Sequence, residues 1–329
     1  MSTVNTFGWQ QVHARGGCSA KLSGAALAAL LASVHKTSWE FEDASDLVRC
    51  GDDHLLGAVD FAPPAHPDPY VAGEIAALNA LSDLYATGAT PCAALAICSI
   101  DTSFPLEIAQ AFLAGLTTTA QAEGAAVVGG HTITGPEFLA GLAVVGRTGK
   151  SRLHKRGATP GCDLLLSKPL GTSSVIWAYT LELCEDAAFA IATDIMRTSN
   201  RDASVAAVAS AVQACTDVTG FGLLGHLAEM LAPPIGASID ISAIPMHPVI
   251  NRLPDHVLGS ASIGANTAYV CSRIAVQTTL PESRLLPLYD AQTNGGLLVA
   301  APPERRESLE ANGFKQIGVI TNEHAVEIH

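Results

Sequence analysis

The chain has 329 residues, 48% of them hydrophobic and 15% charged, with 31 acids against 18 bases and a formal charge of −13. That length exceeds what one hydrophobic core serves efficiently, so two domains are expected. The acidic balance, unrelieved by any Lys/Arg cluster, argues against a nucleic-acid partner, and no uninterrupted apolar run is long enough to cross a bilayer.

The apolar residues 24–32 follow a polar leader that lacks a basic start and a cleavage site, so the expected location is the cytoplasm. Eight cysteines (Cys18, Cys50, Cys92, Cys98, Cys162, Cys184, Cys215 and Cys271) contain no CxxC pair. That usage fits a reducing compartment in which most thiols are small buried hydrophobes.

In chain order, residues 55–61 read as a buried strand. Pro63, Pro64, Pro67 and Pro69 then hold an ordered loop until a helix starts near Val71. Residues 72–87 have helical composition, stop at Gly88 as a C-cap, and put Asn79 and Asp83 on one face. Residues 93–98 and 138–145 read as strands flanking a helix over 106–123, with a turn at Gly129-Gly130-His131 between them.

Residues 151–161, rich in Lys, Arg, His, Gly and Pro, read as an exposed connection, which divides the chain into domains 1–155 and 156–329. A strand at 164–166, helices across 174–214, a glycine run and closing strands at 297–299 and 317–320 follow. Interleaved strands and helices of this kind mean a mixed α/β or α+β fold.

Asp217 leads into Val218-Thr219-Gly220-Phe221-Gly222 and a helix over 223–231. A carboxylate beside a Gly-rich turn at a helix start can hold a metal while free N–H groups receive phosphate oxygens. For an isolated Gly-x-Gly, an ordinary capped turn is the simpler reading.

Asp43, Asp60 and Asp83 each end an apolar segment or face one, where a lone charge is costly unless paired or bound to metal; magnesium suits such converging carboxylates. Gly16-Gly17-Cys18-Ser19-Ala20-Lys21 sets a thiol three residues from an ammonium group in an exposed-looking segment, and a nearby Lys favours the reactive thiolate. Alone, each Asp reads more simply as a cap or solvated turn residue and His131 as a satisfied turn histidine than as a ligand contact; Cys18 is equally a plain free thiol, and Lys168 could reach a phosphate or be a solvated strand-end lysine.

Together these strings resemble the selenophosphate synthetase (selenide, water dikinase) family over nearly the whole chain. The strings are GGCSAK at 16–21, EDAS at 42–45, VDF at 59–61, DPYVAGEIAALNALSDLYATGATP at 68–91, GGHT at 129–132, GLAVVG at 141–146, SKPLGT at 167–172, TDVTGFGLLGHLAEM at 216–230 and QTNGGLLVA at 292–300. The resemblance implies the two-domain α+β fold of the aminoimidazole ribonucleotide synthetases, a homodimer joined through a barrel of N-terminal-domain strands, and ATP in a cleft near that interface. It also implies a mobile catalytic loop within about residues 1–40, and conversion of ATP, selenide and water to selenophosphate, AMP and orthophosphate with Mg²⁺.

Residue by residue, the resemblance makes Cys18 the reactive cysteine, Lys21 the catalytic lysine, and Asp43, Asp60, Asp83 and Asp217 the metal-binding aspartates. Lys21, Asp60, Asn79, Asp83, Gly129, Gly130 and His131 fall on the nucleotide side. The chain departs from the family pattern at Ser19-Ala20, where a second thiol is missing, at His13, displaced by one residue, and at Ala58-Val59, which replace threonines. A Gly-Gly-Thr-x-x-Asn element survives mainly as Asn266. These departures leave room for a paralogue with another sulfur, selenium or small-molecule acceptor. A catalytically weak nucleotide-binding protein is disfavoured by the retained Cys18, Lys21 and aspartates.

Overall fold

The structure, a computed structural model, describes residues 17–22, 26–27, 30, 42–101 and 103–329. The expectation about His13, and most of that about residues 24–32, lies outside these.

A first sheet has the order β1-β2-β5-β3-β4, from β1 (Ser45–Cys50), β2 (Asp53–Ala62), β3 (Thr90–Ile100), β4 (Ala126–Thr134) and β5 (Leu139–Thr148). Only β3 and β4 pair in parallel, as their connection through a helix requires. One face is covered by helices α1 (Pro69–Ala86) and α2 (Leu106–Ala122), which bury Ile75, Leu81, Phe112 and Leu116 against Leu56, Leu142 and Val144. At about 2 kcal/mol per large apolar side chain, this interface dominates the stability of the layer.

Helix α1 begins two residues earlier than the prolines suggest. Asp68 caps it, accepting from Tyr70 and Val71 N–H, and Pro69 occupies the first turn, where no N–H is needed. Gly73 and Gly115 let α1 and α2 cross in backbone contact; a Cβ on either would run into a carbonyl oxygen of the facing helix.

After the connection come β6 (Asp163–Leu166), α3 (Thr172–Thr180), α4 (Asp186–Arg197), α5 (Arg201–Ala209), β7 (Ala214–Asp217), α6 (Gly222–Met230) and β8 (Gly236–Ile239). Then follow α7 (Ile263–Cys271), β9 (Ala275–Thr278), α8 (Glu282–Tyr289), β10 (Leu297–Ala301), α9 (Arg306–Glu310), β11 (Lys315–Thr321) and β12 (Ala325–Ile328). These strands make a second sheet of order β7-β10-β6-β11-β8-β12-β9. In β6, Leu164 and Leu166 join the core under Leu224 and Leu227, while Leu165 faces the opposite core with Phe314, the two-residue alternation of a sheet buried on both faces.

Helices α3 and α4 return to the first layer, so Val175, Ile176, Phe189 and Met196 share a core with α1. Helix α1 also packs on β7 of the second sheet. Its Asn79–Asp83 face therefore looks at the end of β7, where Asp217 stands. No helix among the described residues is long and apolar enough to cross a membrane.

One local expectation is corrected and another is refined. Residues 126–134 form a full strand rather than a turn at 129–131, because Val127, Val128, Thr132 and Ile133 favour extended backbone, and Gly130 allows close approach to Ala96. The basic connection 151–161 is exposed at most positions, as expected, but it is anchored at others: Arg152 bonds Asp46, the Lys155 N–H bonds Glu42, and Arg156 bonds the Glu229 carbonyl. Complementary charge in residues 42–46 draws this strap inward.

Candidate active site

Three aspartates from distant parts of the chain converge. Asp43 precedes β1, Asp83 lies one turn beyond Asn79 on α1, and Asp217 ends β7; each offers a carboxylate oxygen within 4.8 Å of the others. Asp217 is 1% exposed, and both of its oxygens are buried without a hydrogen-bond partner, as is Asp43 Oδ2. Burial and the nearby Asp217 push Asp83 well above the usual carboxylate range, and burial raises Asp43 to about 7 although Lys155 pulls it down.

Unpaired buried carboxylate oxygens are expensive, and a hard divalent cation is the partner that relieves them. The donor set, three hard carboxylates whose oxygens lie within 4.8 Å of one another, fits magnesium. Asp60 stands apart from this triad. It is buried in β2, where Lys21 Nζ lies 2.9 Å and Asn79 Nδ2 2.6 Å from its Oδ2.

The segment Gly17–Ala20 is one turn of 3₁₀ helix docked between the two layers. Gly17 N–H donates to Pro63 O, Cys18 N–H donates to Thr293 Oγ1 at 3.2 Å, and the Cys18 thiol donates to Asn79 Oδ1 at 3.1 Å. Gly17 has φ +58, which glycine adopts freely, and a Cβ there would strike the Thr293 side chain. Gly220 serves the same loop from the other side, since a Cβ on it would meet Lys21 Cδ at 2.8 Å.

This geometry corrects the expectation of an exposed thiolate. Cys18 is completely buried, and burial pushes its thiol up to about 12 even though Lys21 acts in the opposite direction. The Lys21 charge is matched by Asp60, so the lysine does not activate the thiol in this arrangement.

The sequence marks several supporting residues without showing what they hold. The loop 290–296 supplies Thr293 to Cys18 and Asn294, whose N–H donates to Asn79 Oδ1 at 2.7 Å. Gln292 Oε1 accepts from Gly171 and Thr172 N–H and ties this loop to the start of α3. The QTNGG string was the available signal, with Asn294 at φ +47. Asn266 Nδ2 donates to Gly220 O and Tyr289 O, which fixes the glycine turn after Asp217 from beneath.

Lys168 is not a solvated strand-end lysine. It is buried, donates to Thr198 O at 2.6 Å and Asn294 O at 2.9 Å, and burial pulls its pKa down to about 7. Gly129, Gly130 and His131 are exposed on β4, paired with Leu95, Ala96 and Ile97, and three strands from Asp60. Within one chain they do not join the cluster.

The description "AIR synthase related protein, N-terminal domain" matches residues 42–148, and the corresponding C-terminal-domain description matches residues 159–329. The selenide, water dikinase of Myxococcus xanthus is 36% identical over 307 residues, covering 90% of this chain and 87% of that protein. That of Bordetella bronchiseptica is 36% identical over 332 residues, covering 95% and 96%.

Among solved structures, AaThiL complexed with AMPPCP and TMP superposes with a TM-score of 0.73 at 18% identity, covering 93% of each chain. The hydrogenase maturation protein HypE in complex with ATP gives 0.61 at 17% identity, covering 88% of this chain and 81% of that one. At such identities these two likenesses speak for the fold alone.

Proposed function

The chain belongs to the selenide, water dikinase family of AIR synthase related proteins, and from that premise we propose that it forms selenophosphate from ATP, selenide and water, releasing AMP and orthophosphate. The observation that carries the reading is the triad Asp43, Asp83 and Asp217, with its unpartnered buried oxygens, beside the docked Cys18–Lys21 loop.

Asp43, Asp83 and Asp217 are the residues that would hold Mg²⁺. When bound, the ion offsets the charge of the polyphosphate and orients it. Lys21, now paired with Asp60, is positioned to meet the charge that develops on the transferred phosphoryl group. Asn79 holds the Cys18 loop against α1 by accepting the thiol proton donor, and Asp60 orients the Asn79 amide. In the overall balance one phosphoryl group ends on selenium and water releases the second as orthophosphate. Positioning and charge, not covalent chemistry by the protein, supply most of the rate.

The homodimer belongs to the same proposal. The sheet face opposite α1 and α2 carries Leu47, Val59, Phe61 and Leu95, each about half exposed, and Val128 is more exposed still. So much apolar surface on one sheet face is what a second copy would cover. Gly129, Gly130 and His131 would then reach a nucleotide from that second copy. Anaerobic incubation with Mg²⁺ and ATP tests the reaction: AMP formed only when selenide is present supports it, and selenide-independent AMP formation contradicts it.

A further inference from the structure

Behind the three aspartates lies a buried cation that none of these roles uses. Lys155 Nζ sits 2.6 Å from Asp43 Oδ1 and 3.0 Å from Glu229 Oε2, and all three side chains are more than nine-tenths buried. They come from three regions: the strap between the sheets, the segment leading into β1, and the last turn of α6. Glu229 is further secured by the Tyr269 hydroxyl, which donates to its Oε1 at 2.7 Å.

The two carboxylates that hold Lys155 are not equivalent. Asp43 shares Oδ1 between Lys155 and the Thr216 hydroxyl and leaves Oδ2 without a partner. Glu229 has both oxygens engaged and lies outside the triad. Lys155 can therefore release Asp43 without becoming an unpaired buried charge, which would be costly. Asp43 cannot lose Lys155 without a replacement cation.

An ammonium group beside Asp43 stabilises the crowded carboxylates when no metal is bound. The same charge, in a poorly screened interior, opposes entry of a divalent ion. We propose that Lys155 is the internal counter-cation of the triad, neutralising Asp43 in the metal-free protein and yielding it to the incoming divalent metal while remaining paired with Glu229. The proposal rests on the reading of Asp43, Asp83 and Asp217 as metal ligands. It makes the bare site a weak metal binder, filled when the ion arrives with polyphosphate charge.

The test titrates the full chain with Mn²⁺ alone, without nucleotide, following free Mn²⁺ by electron paramagnetic resonance and unfolding by Tm. Lys155→Met is expected to bind Mn²⁺ at least about tenfold more tightly than wild type. Its metal-free Tm should fall and should recover at saturating Mn²⁺. Lys155→Arg should behave as wild type.

If Lys155→Met does not fold without metal, Glu229→Gln supplies the opposite arm. Lys155 then has Asp43 as its sole anionic partner, and Mn²⁺ binding should weaken. Unchanged or weaker binding in Lys155→Met, or unchanged binding in Glu229→Gln, overturns the exchange. Asp217→Asn separates the two layers of inference: Mn²⁺ binding that is lost in this variant but indifferent to Lys155 and Glu229 sinks the exchange alone. Absence of Mn²⁺ binding in both wild type and Lys155→Met takes down the metal reading with it.

Discussion

The Cys18 thiol donates to Asn79 Oδ1 over 3.1 Å, and the same oxygen receives the Asn294 N–H from the other layer. The sulfur is thus fixed at the seam between the two sheets, protonated and out of solvent.

One consequence concerns thiol reactivity. With its thiol pushed up to about 12, Cys18 should stay inert to iodoacetamide at pH 8.5 while exposed Cys92 and Cys271 are alkylated. Gly17→Ala places a Cβ at φ +58 against Thr293. A backbone penalty of about 1–2 kcal/mol undocks the loop and should raise alkylation of Cys18 by roughly tenfold. Peptide-resolved mass spectrometry reads both; rapid alkylation of Cys18 in the wild type would contradict the buried docking.

Cys18→Ser addresses the chemistry itself. If the thiol meets selenide when its loop leaves the docked arrangement, selenide-dependent turnover should vanish in this variant while ATP binding persists, and unchanged activity would remove Cys18 from the reaction.

Much of this was legible in the sequence. The family strings marked the two-layer fold, and i, i+4 spacing put Asn79 and Asp83 on one helix face. What sequence could not provide was proximity between distant segments. The charges of residues 42–46 and 152–156 are complementary, but nothing local says that Lys155 and Arg152 fold inward onto them. The same limit applies to Cys18, whose neighbour Lys21 was visible, whereas Asp60, which neutralises it, comes from β2. At Gly129-Gly130-His131 the two glycines suggest a turn, whereas the β-branched residues around them carry the strand.

Asp217→Asn should act in two directions. Mg²⁺-dependent nucleotide binding should weaken by at least about tenfold, because a hard anionic ligand is lost. The metal-free protein should gain about 1 kcal/mol, because two unpartnered carboxylate oxygens are no longer buried. Isothermal titration and denaturant unfolding measure these; intact nucleotide binding would exclude Asp217 from the site.

Lys168 makes stability depend on pH. Its pKa in the folded protein is about 7, below its unfolded value. Between pH 7 and about 10 the unfolded chain therefore binds the extra proton, and the contribution of this group rises with pH across that window. The Tm of wild type relative to Lys168→Met should increase between pH 7 and 9.5. A flat or falling difference would mean that the two carbonyl acceptors hold the ammonium charged.

The most direct measurement is ³¹P nuclear magnetic resonance of an anaerobic reaction containing the full chain, ATP, Mg²⁺ and ⁷⁷Se-labelled selenide. The expected result is a new phosphorus resonance split by directly bonded selenium, growing in step with AMP and orthophosphate and absent from the Cys18→Ser and Asp217→Asn proteins. ATP consumed without a selenium-coupled resonance, or coupled product formed equally by those variants, would contradict the proposed function.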